Sequence, residues 1–598
     1  GRWDAEAQEI GPGQQPEIYL NPKNHLFVAW CGADNRLTVW NPDWPAEQIA
    51  FPGCVNRPAI AQDEQNRLRL VWYADEVANR DGRVLPNRLI YESVRQNSAW
   101  SEAAIITQTQ QIAQPTLAAG ANGLLYLAWA DGNLYYTSHQ DYTCNGVELS
   151  RAGQTVYDVV RQGKFHPAAN PIPFCKNRYE GLLYAPNPNP GFSAQSPTPD
   201  GPFDHFAELA KTARYEVLFA TMWYHKDQDM DSPGSLLAQS IADLYRQLKE
   251  DPARYPRGIT VRILVGNPPE FVVSQFKSQF WNVMQDLKDA GVPEMRNPNI
   301  GWRVEVANYD GAWPHSHTKL MAVDGKTAQV VGFNMSYDHM PKGSAAGKGG
   351  GRVDLGSQVT GPAAQAVVTV FDDLWNGANS VYCSNFRPDA SAFWMLSCRV
   401  EEGIATHVPE VLKYYLPGDD DKVFSLYRNA SYKESDEAFA QALASAQKTI
   451  DTTQVNFTLD LICDLNVLFD VCTFEDSPAY MSAMMKAIEE NGVKVRVLIE
   501  GSPIEGVENG VAIKAFENAL RQKGLEDHLE IRYFDGATHT KAALIDDELL
   551  IVGSQNFHYS AWGKSGLTEY NLAWDNPQAV GDFKRMYEYY WDRAVPAE

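Results

Sequence analysis

The sequence predicts an α/β protein: two α/β/α halves related by a pseudo-twofold axis, preceded by an all-β repeat domain. Three observations carry this. An eighteen-residue pattern occurs twice, at His317, Lys319, Asp324, Asn334 and at His539, Lys541, Asp546, Asn556, with identical spacing at all four positions. Helix and strand signals repeat in the same order around each copy, so the duplication covers whole halves. Upstream, three units of equal length run from Pro16 to Trp30, Pro58 to Trp72 and Pro115 to Trp129.

At 598 residues the chain is too long for one ordinary core. The expected division is a β-repeat domain at 1–165, a linker at 166–201, and halves at 202–400 and 401–598. In the first segment each unit pairs two strands across a turn at Asn24, Asn66 or Asn122 and continues into another strand, as at 88–91 and 134–136. Such repeats resemble blades of a β-propeller of sialidase or lectin type. Either a degenerate fourth blade lies in 160–185 or the sheets pack without closing. The repeated Trp residues read as the apolar anchors of each unit, with sugar or lipid contact as the alternative.

A Pro/Gly/Ser-rich connector follows at 185–201. Then the pattern changes to alternating helices and strands. The first half offers a helix at 203–214 and strands at 216–224, 259–266 and 303–307. The second offers a helix at 436–447, a strand at 449–458, a helix entered through Ser477-Pro478 and left at Gly492, and a strand at 493–500.

Each motif places His and Lys two apart, directly before an apolar strand, so both side chains fall on one face. A second apolar strand then ends at Asn. An imidazole, a fixed cation and an amide donor brought together suit a phosphoryl group: Lys and Asn stabilise the oxygens, and His acts as nucleophile or acid. Two such units supply both an attacking and a leaving-group His.

The two stretches resemble the paired H-x-K-x4-D-x6-G-S-x-N signatures of the phospholipase D superfamily. The second copy fits throughout; the first carries Val331 and Gly332 where the second has Gly553 and Ser554, so a hydroxyl donor is missing on that side. After the first motif, a Gly-rich run at 341–351 leads into Val353-Asp354-Leu355 and Thr360-Gly-Pro-Ala-Ala, similar to the equivalent region of secreted bacterial phospholipases D. The resemblance spans roughly 200–598 and is tight only around the motifs. It implies that His317 is the nucleophile and that His539 protonates the leaving alcohol, then activates water or an acceptor alcohol. It also implies that Lys319, Lys541, Asn334 and Asn556 hold phosphate oxygens, and that Asp354 and Glu569 orient the histidines. Asp324 and Asp546 are structural motif acids. Ser554, Tyr337 and Trp562, with Trp223 and Tyr224 nearby, are candidate substrate contacts, the aromatics through cation–π contact with a quaternary ammonium. Neither cofactor nor metal is expected.

The net charge of −24 opposes broad nucleic-acid binding, which needs a basic surface. No apolar run approaches a membrane span. The eight cysteines fall in local pairs, Cys31/Cys54, Cys144/Cys175, Cys383/Cys398 and Cys463/Cys472, which fits disulfides and a secreted or periplasmic location. The expectation is therefore a secreted phosphodiesterase that hydrolyses or transphosphatidylates glycerophospholipids at a membrane or micelle surface, through a phosphohistidine. Three alternatives share the residues: a secreted metal-independent nuclease; phospholipid synthesis by the cardiolipin synthase route, whose members usually carry membrane spans that this sequence does not show; and a carbohydrate- or surface-binding protein with a vestigial site. Intact His, Lys and Asn in both motifs speak against the last.

Overall fold

The computed structural model describes residues 9–597, except 22, 33, 35, 50–53, 64–66, 81–82, 97, 102, 110, 120–124, 139–143, 145, 163–171, 194–200, 227–228, 267–277, 311–314, 388–393, 461–472, 502–504 and 565. It divides into two compact units, Gly1–Thr143 and Cys144–Glu598.

The first unit is built from antiparallel sheets of four, five and three strands. The three Pro-to-Trp units begin these sheets in one common register, with Leu20 opposite Leu26, Gln62 opposite Leu68 and Ala119 opposite Leu125. Period-two alternation explains the packing. Leu70 and Trp72 share a core with Ala29, Leu37 and Val39 of the first sheet. Val71 and Tyr73, on the opposite face, share one with Leu127 and Trp129 of the third. The middle strand Leu68–Arg80 is apolar on both faces over residues 70–74 because both are covered there. All three repeated Trp residues are buried, which makes them anchors rather than open contacts. The stack does not close into a ring among the described residues: the outer face of the third sheet leaves Leu134 and Tyr136 about four-fifths exposed, at 81% and 79%. Truncating the fully buried Trp72 to Ala is expected to destabilise this unit by about 3–5 kcal/mol. Urea denaturation checks it, and an unmoved transition would contradict the shared core.

The expected boundaries at 165 and 201 need correction, because chain placed in the β domain and linker is built into the second unit. The helix Arg151–Val160 is capped by Ser150, whose side chain accepts from Gly153 N–H, and it buries Val156 and Val160 against Phe439 and Ala442. The strand Arg178–Ala185 pairs antiparallel with Asp354–Thr360 along its length. Its Leu182-Leu183-Tyr184 core is buried on both faces; the prolines that follow made it look like connector. A fourth blade at 160–185 is thereby excluded. The first half also runs past residue 400, since His407 is held between Glu216 and Asp372.

Each half is one mixed sheet, and the two share a strand order. From the first edge inward, the first sheet runs Arg178–Ala185, Asp354–Thr360, Thr327–Val331, Leu320–Val323, Glu216–Thr221, Ile259–Val265 and Trp302–Asn308. The second runs Lys422–Arg428, Glu569–Asp575, Leu549–Gly553, Lys541–Ile545, Thr449–Gln454, Lys494–Ile499 and Leu529–Tyr533. In both, the last three are parallel and the motif hairpin is antiparallel. The halves bury their motif faces in a single core, where Leu320, Val330 and Leu355 meet Leu544, Leu550 and Leu572. Disulfides join Cys31 to Cys54, Cys144 to Cys175 and Cys383 to Cys398. The expected Cys463–Cys472 pair lies outside the described residues. Among the described residues no helix is long and apolar enough to cross a membrane.

Candidate active site

The two histidines sit immediately before their motif strands, where the halves meet. There the chains exchange backbone bonds symmetrically: His317 N–H donates to the Thr568 carbonyl at 3.1 Å, and His539 N–H to that of Val353 at 2.7 Å. At the far end of each motif strand the chain turns through a left-handed residue, Asp324 or Asp546, each with φ +55°, a conformation Asp tolerates. The Asp324 carboxylate accepts the N–H groups of Arg214, Tyr215 and Glu216 at 2.8–2.9 Å. Asp546 accepts those of Gln447, Lys448 and Thr449 at 2.7–3.0 Å. Both acids therefore pin the start of the neighbouring parallel strand.

The orienting carboxylates cross between halves. His317 Nδ1 lies 2.9 Å from Glu569 Oε2, and His539 Nδ1 lies 2.7 Å from Asp354 Oδ2. An ionised carboxylate only accepts, so it faces an Nδ1–H on each ring; Nε2 of His317 is left with a lone pair, and Nε2 of His539, whose Nδ1 also lies 2.6 Å from Lys541 Nζ, is left to exchange a proton. Ser554, expected to touch substrate, instead donates to Glu569 Oε2 at 2.6 Å and accepts from Tyr570 N–H. Its place in the first half belongs to Gly332, where a Cβ would lie 2.4 Å from Asp354 Oδ1. The missing hydroxyl is thus space taken by the carboxylate, which is held by Leu355 N–H and by Lys541 Nζ at 3.2 Å.

Lys319 and Lys541 are both buried. Lys319 Nζ donates to the carbonyl of His317 at 2.6 Å, and Lys541 Nζ to that of His539. Burial, and then the charge of Lys541, pushes Lys319 down to about 7; burial pushes Lys541 down to about 8. Burial and the same ammonium groups hold both histidines well below their ordinary range. Two desolvated cations in mutual repulsion make a site for an anion.

Asn334 accepts the Trp223 N–H on Oδ1 at 3.2 Å, which leaves its amide N–H groups to donate. Asn556 Oδ1 is buried without a partner among the described residues. Trp562 donates its indole N–H to the Asn556 carbonyl at 2.9 Å and packs on Phe439, Tyr480 and Phe557. It props Asn556 and is not an open cage wall. Tyr337 lies beside His225, with Lys348 Nζ 5.1 Å from its ring centre, so a cation from the chain already occupies one face. Tyr224 is buried in the core of the first half.

Residues 439–591 match the family described as "Cardiolipin synthase, PLD-like domain". The C-terminal part of the chain is thus similar to a phospholipase D-like domain. Among solved structures, the chain is similar to phosphatidylserine synthase from Haemophilus influenzae Rd KW20, at 13% identity over 66% of this chain and 85% of that one, with a TM-score of 0.44. It is also similar to Nuc, a phospholipase D family member from Salmonella typhimurium, at 19% identity over 30% of this chain and 99% of that one, TM-score 0.23. NucT from Helicobacter pylori matches at 16% identity over 30% and 99%, TM-score 0.23. No curated protein matches the chain.

Two further imidazoles stand by the candidate site, and the motif pattern carries no signal for either. His558 lies close enough to His317 to disfavour its charge. The buried His339 has its ring 5.3 Å from that of His539. Among the described residues, His339, Asp354 and His539 are the one group with metal-ligand proximity, their ligand atoms all within 4.8 Å. With Lys541 Nζ 3.2 Å from Asp354, this donor set suits an anion better than a cation.

The same groups predict a bell-shaped pH profile. Burial raises Glu569 to about 7 and Asp354 to about 6. As pH falls through these values the carboxylates protonate and release the Nδ1–H groups. As pH rises through about 7 and 8, Lys319 and Lys541 lose their charge. The value of kcat/KM should fall on both sides of neutrality, with limbs belonging to the coupled cluster. A profile flat from about pH 5 to about pH 9 would contradict this assignment.

Proposed function

We propose that this chain is a phosphodiesterase of phospholipase D type that acts on glycerophospholipids through a covalent phosphohistidine. The observation that carries the reading is the reciprocal pair of histidines, each held at Nδ1 by a carboxylate of the other half, around two buried lysines. In the first step His317 Nε2 attacks phosphorus. The N–P bond forms, the P–O bond to the head-group alcohol breaks, and His539, which enters this step with a proton on Nε2 as well as on Nδ1, gives the Nε2 proton to that oxygen. In the second, His539 Nε2 takes the proton of a water or alcohol whose oxygen attacks phosphorus, and the N–P bond breaks. Lys319, Lys541, Asn334 and Asn556 hold the phosphate oxygens and stabilise the charge that develops on them.

Lipid is favoured over nucleic acid by the net charge of −24, which a polyanion would meet as repulsion. Three disulfides fit action outside a reducing compartment, and the substrate would be met at a membrane or micelle surface. The test is purified protein given phosphatidylcholine vesicles with ethanol, beside single-stranded DNA in EDTA, each compared with His317→Ala. Choline release with phosphatidylethanol, lost in the variant, supports the proposal. DNA cleavage with untouched lipid would replace it with a nuclease.

A further inference from the structure

His339 is buried beside His539 and plays no part in the two steps above. Its Nδ1 lies 3.0 Å from the carbonyl oxygen of Arg352. A carbonyl only accepts, so Nδ1 holds the ring proton and Nε2 keeps its lone pair. Nε2 makes no hydrogen bond to the described residues. The ring is fixed from both ends of the Gly-rich loop: Met340 N–H bonds the Tyr337 carbonyl, Gly351 N–H bonds that of Met340, and Arg352 N–H bonds that of Asp338. Arg352 Nε in turn reaches the Thr538 carbonyl at 3.3 Å, one residue before His539. The loop thus holds an acceptor against the general base. Burial, the main cause, pushes His339 down to about 3, so the ring stays neutral and adds no charge to repel phosphate.

We propose that His339 is a specificity-determining residue for the second step: its Nε2 accepts a hydrogen bond from the attacking water and so favours hydrolysis over transfer to an alcohol. Water has two O–H groups. One is given to His539 for abstraction, and the other can be given to His339. A simple alcohol has only one, which His539 must take, so it cannot make the bond to Nε2 that water makes; that mismatch disfavours the alcohol. The inference rests on the phosphodiesterase reading.

The experiment measures phosphatidic acid against phosphatidylethanol from phosphatidylcholine vesicles at fixed ethanol, in wild type, His339→Asn and His339→Gln. Asn keeps an N–H where Nδ1 stood, to bond Arg352, but removes the Nε2 acceptor. Gln places an amide oxygen near the Nε2 position. The expected result is a hydrolysis-to-transfer ratio lowered about three- to tenfold in the Asn variant and largely kept in the Gln variant. Formation of the phosphoenzyme should be little changed in both. If the ratio is unmoved in the Asn variant while both products fall together, His339 only braces the loop and the inference is overturned. A wild-type protein that forms neither product overturns the underlying reading, and this one with it.

Discussion

His539→Ala is expected to accumulate phosphorylated His317 when the substrate is a diester with a good leaving group such as nitrophenol. That leaving group needs no proton, so attack by His317 proceeds. Water then meets no base, and turnover should fall about 10³- to 10⁴-fold. Intact-protein mass spectrometry would find the adduct, and a stoichiometric burst of nitrophenol would precede the slow phase. His317→Ala should show no burst and lose at least about 10⁴-fold. A burst retained in His317→Ala and lost in His539→Ala would exchange the two roles. No adduct in either variant would remove the covalent intermediate altogether.

The crossed carboxylates lead to a second large effect. Glu569→Gln and Asp354→Asn each replace an obligate acceptor with an amide that can turn either end to Nδ1. The imidazole is then free to take the tautomer with hydrogen on Nε2, which can neither attack phosphorus nor accept a proton. A loss of about 10³- to 10⁴-fold is expected for each. The step affected should cross between halves. Glu569→Gln, in the second half, should suppress the burst through His317, whereas Asp354→Asn, in the first, should suppress dephosphorylation through His539. Ser554→Ala removes one donor to Glu569 and should cost only about tenfold. If each acid affected the histidine of its own half, the geometry of the site would be wrong.

What the sequence made legible was whatever repeats at short range. Paired motifs, alternating strands and the common Pro-to-Trp register all follow from periodicity within about twenty residues, and the structure places these elements close to where the pattern put them. The crossing of Glu569 to His317 was not legible, because it joins residues 252 apart and depends on how two sheets face each other. Ser554 stood in a signature and so read as a phosphate contact; only packing shows that its hydroxyl is spent on Glu569. Trp562 and Tyr337 stand near the motifs in the sequence, yet local neighbours already occupy them. His339 carries no periodic signal at all. The strand Arg178–Ala185 was hidden by the prolines after it, since the partner that buries it lies at Asp354–Thr360.

That strand and the helix before it bear on how the chain reaches its native state. Ser150 N–H bonds the Asp575 carboxylate, 425 residues later, and Arg151 bonds Asp546, 395 residues later. The segment leaves the ribosome long before any of these partners exists. The second half's sheet cannot be finished, nor the core it shares with the first half closed, until the last strands have been made, so the second unit should complete its folding late and slowly, with apolar surface exposed in the interval. A protein built this way depends on being kept from aggregating during synthesis.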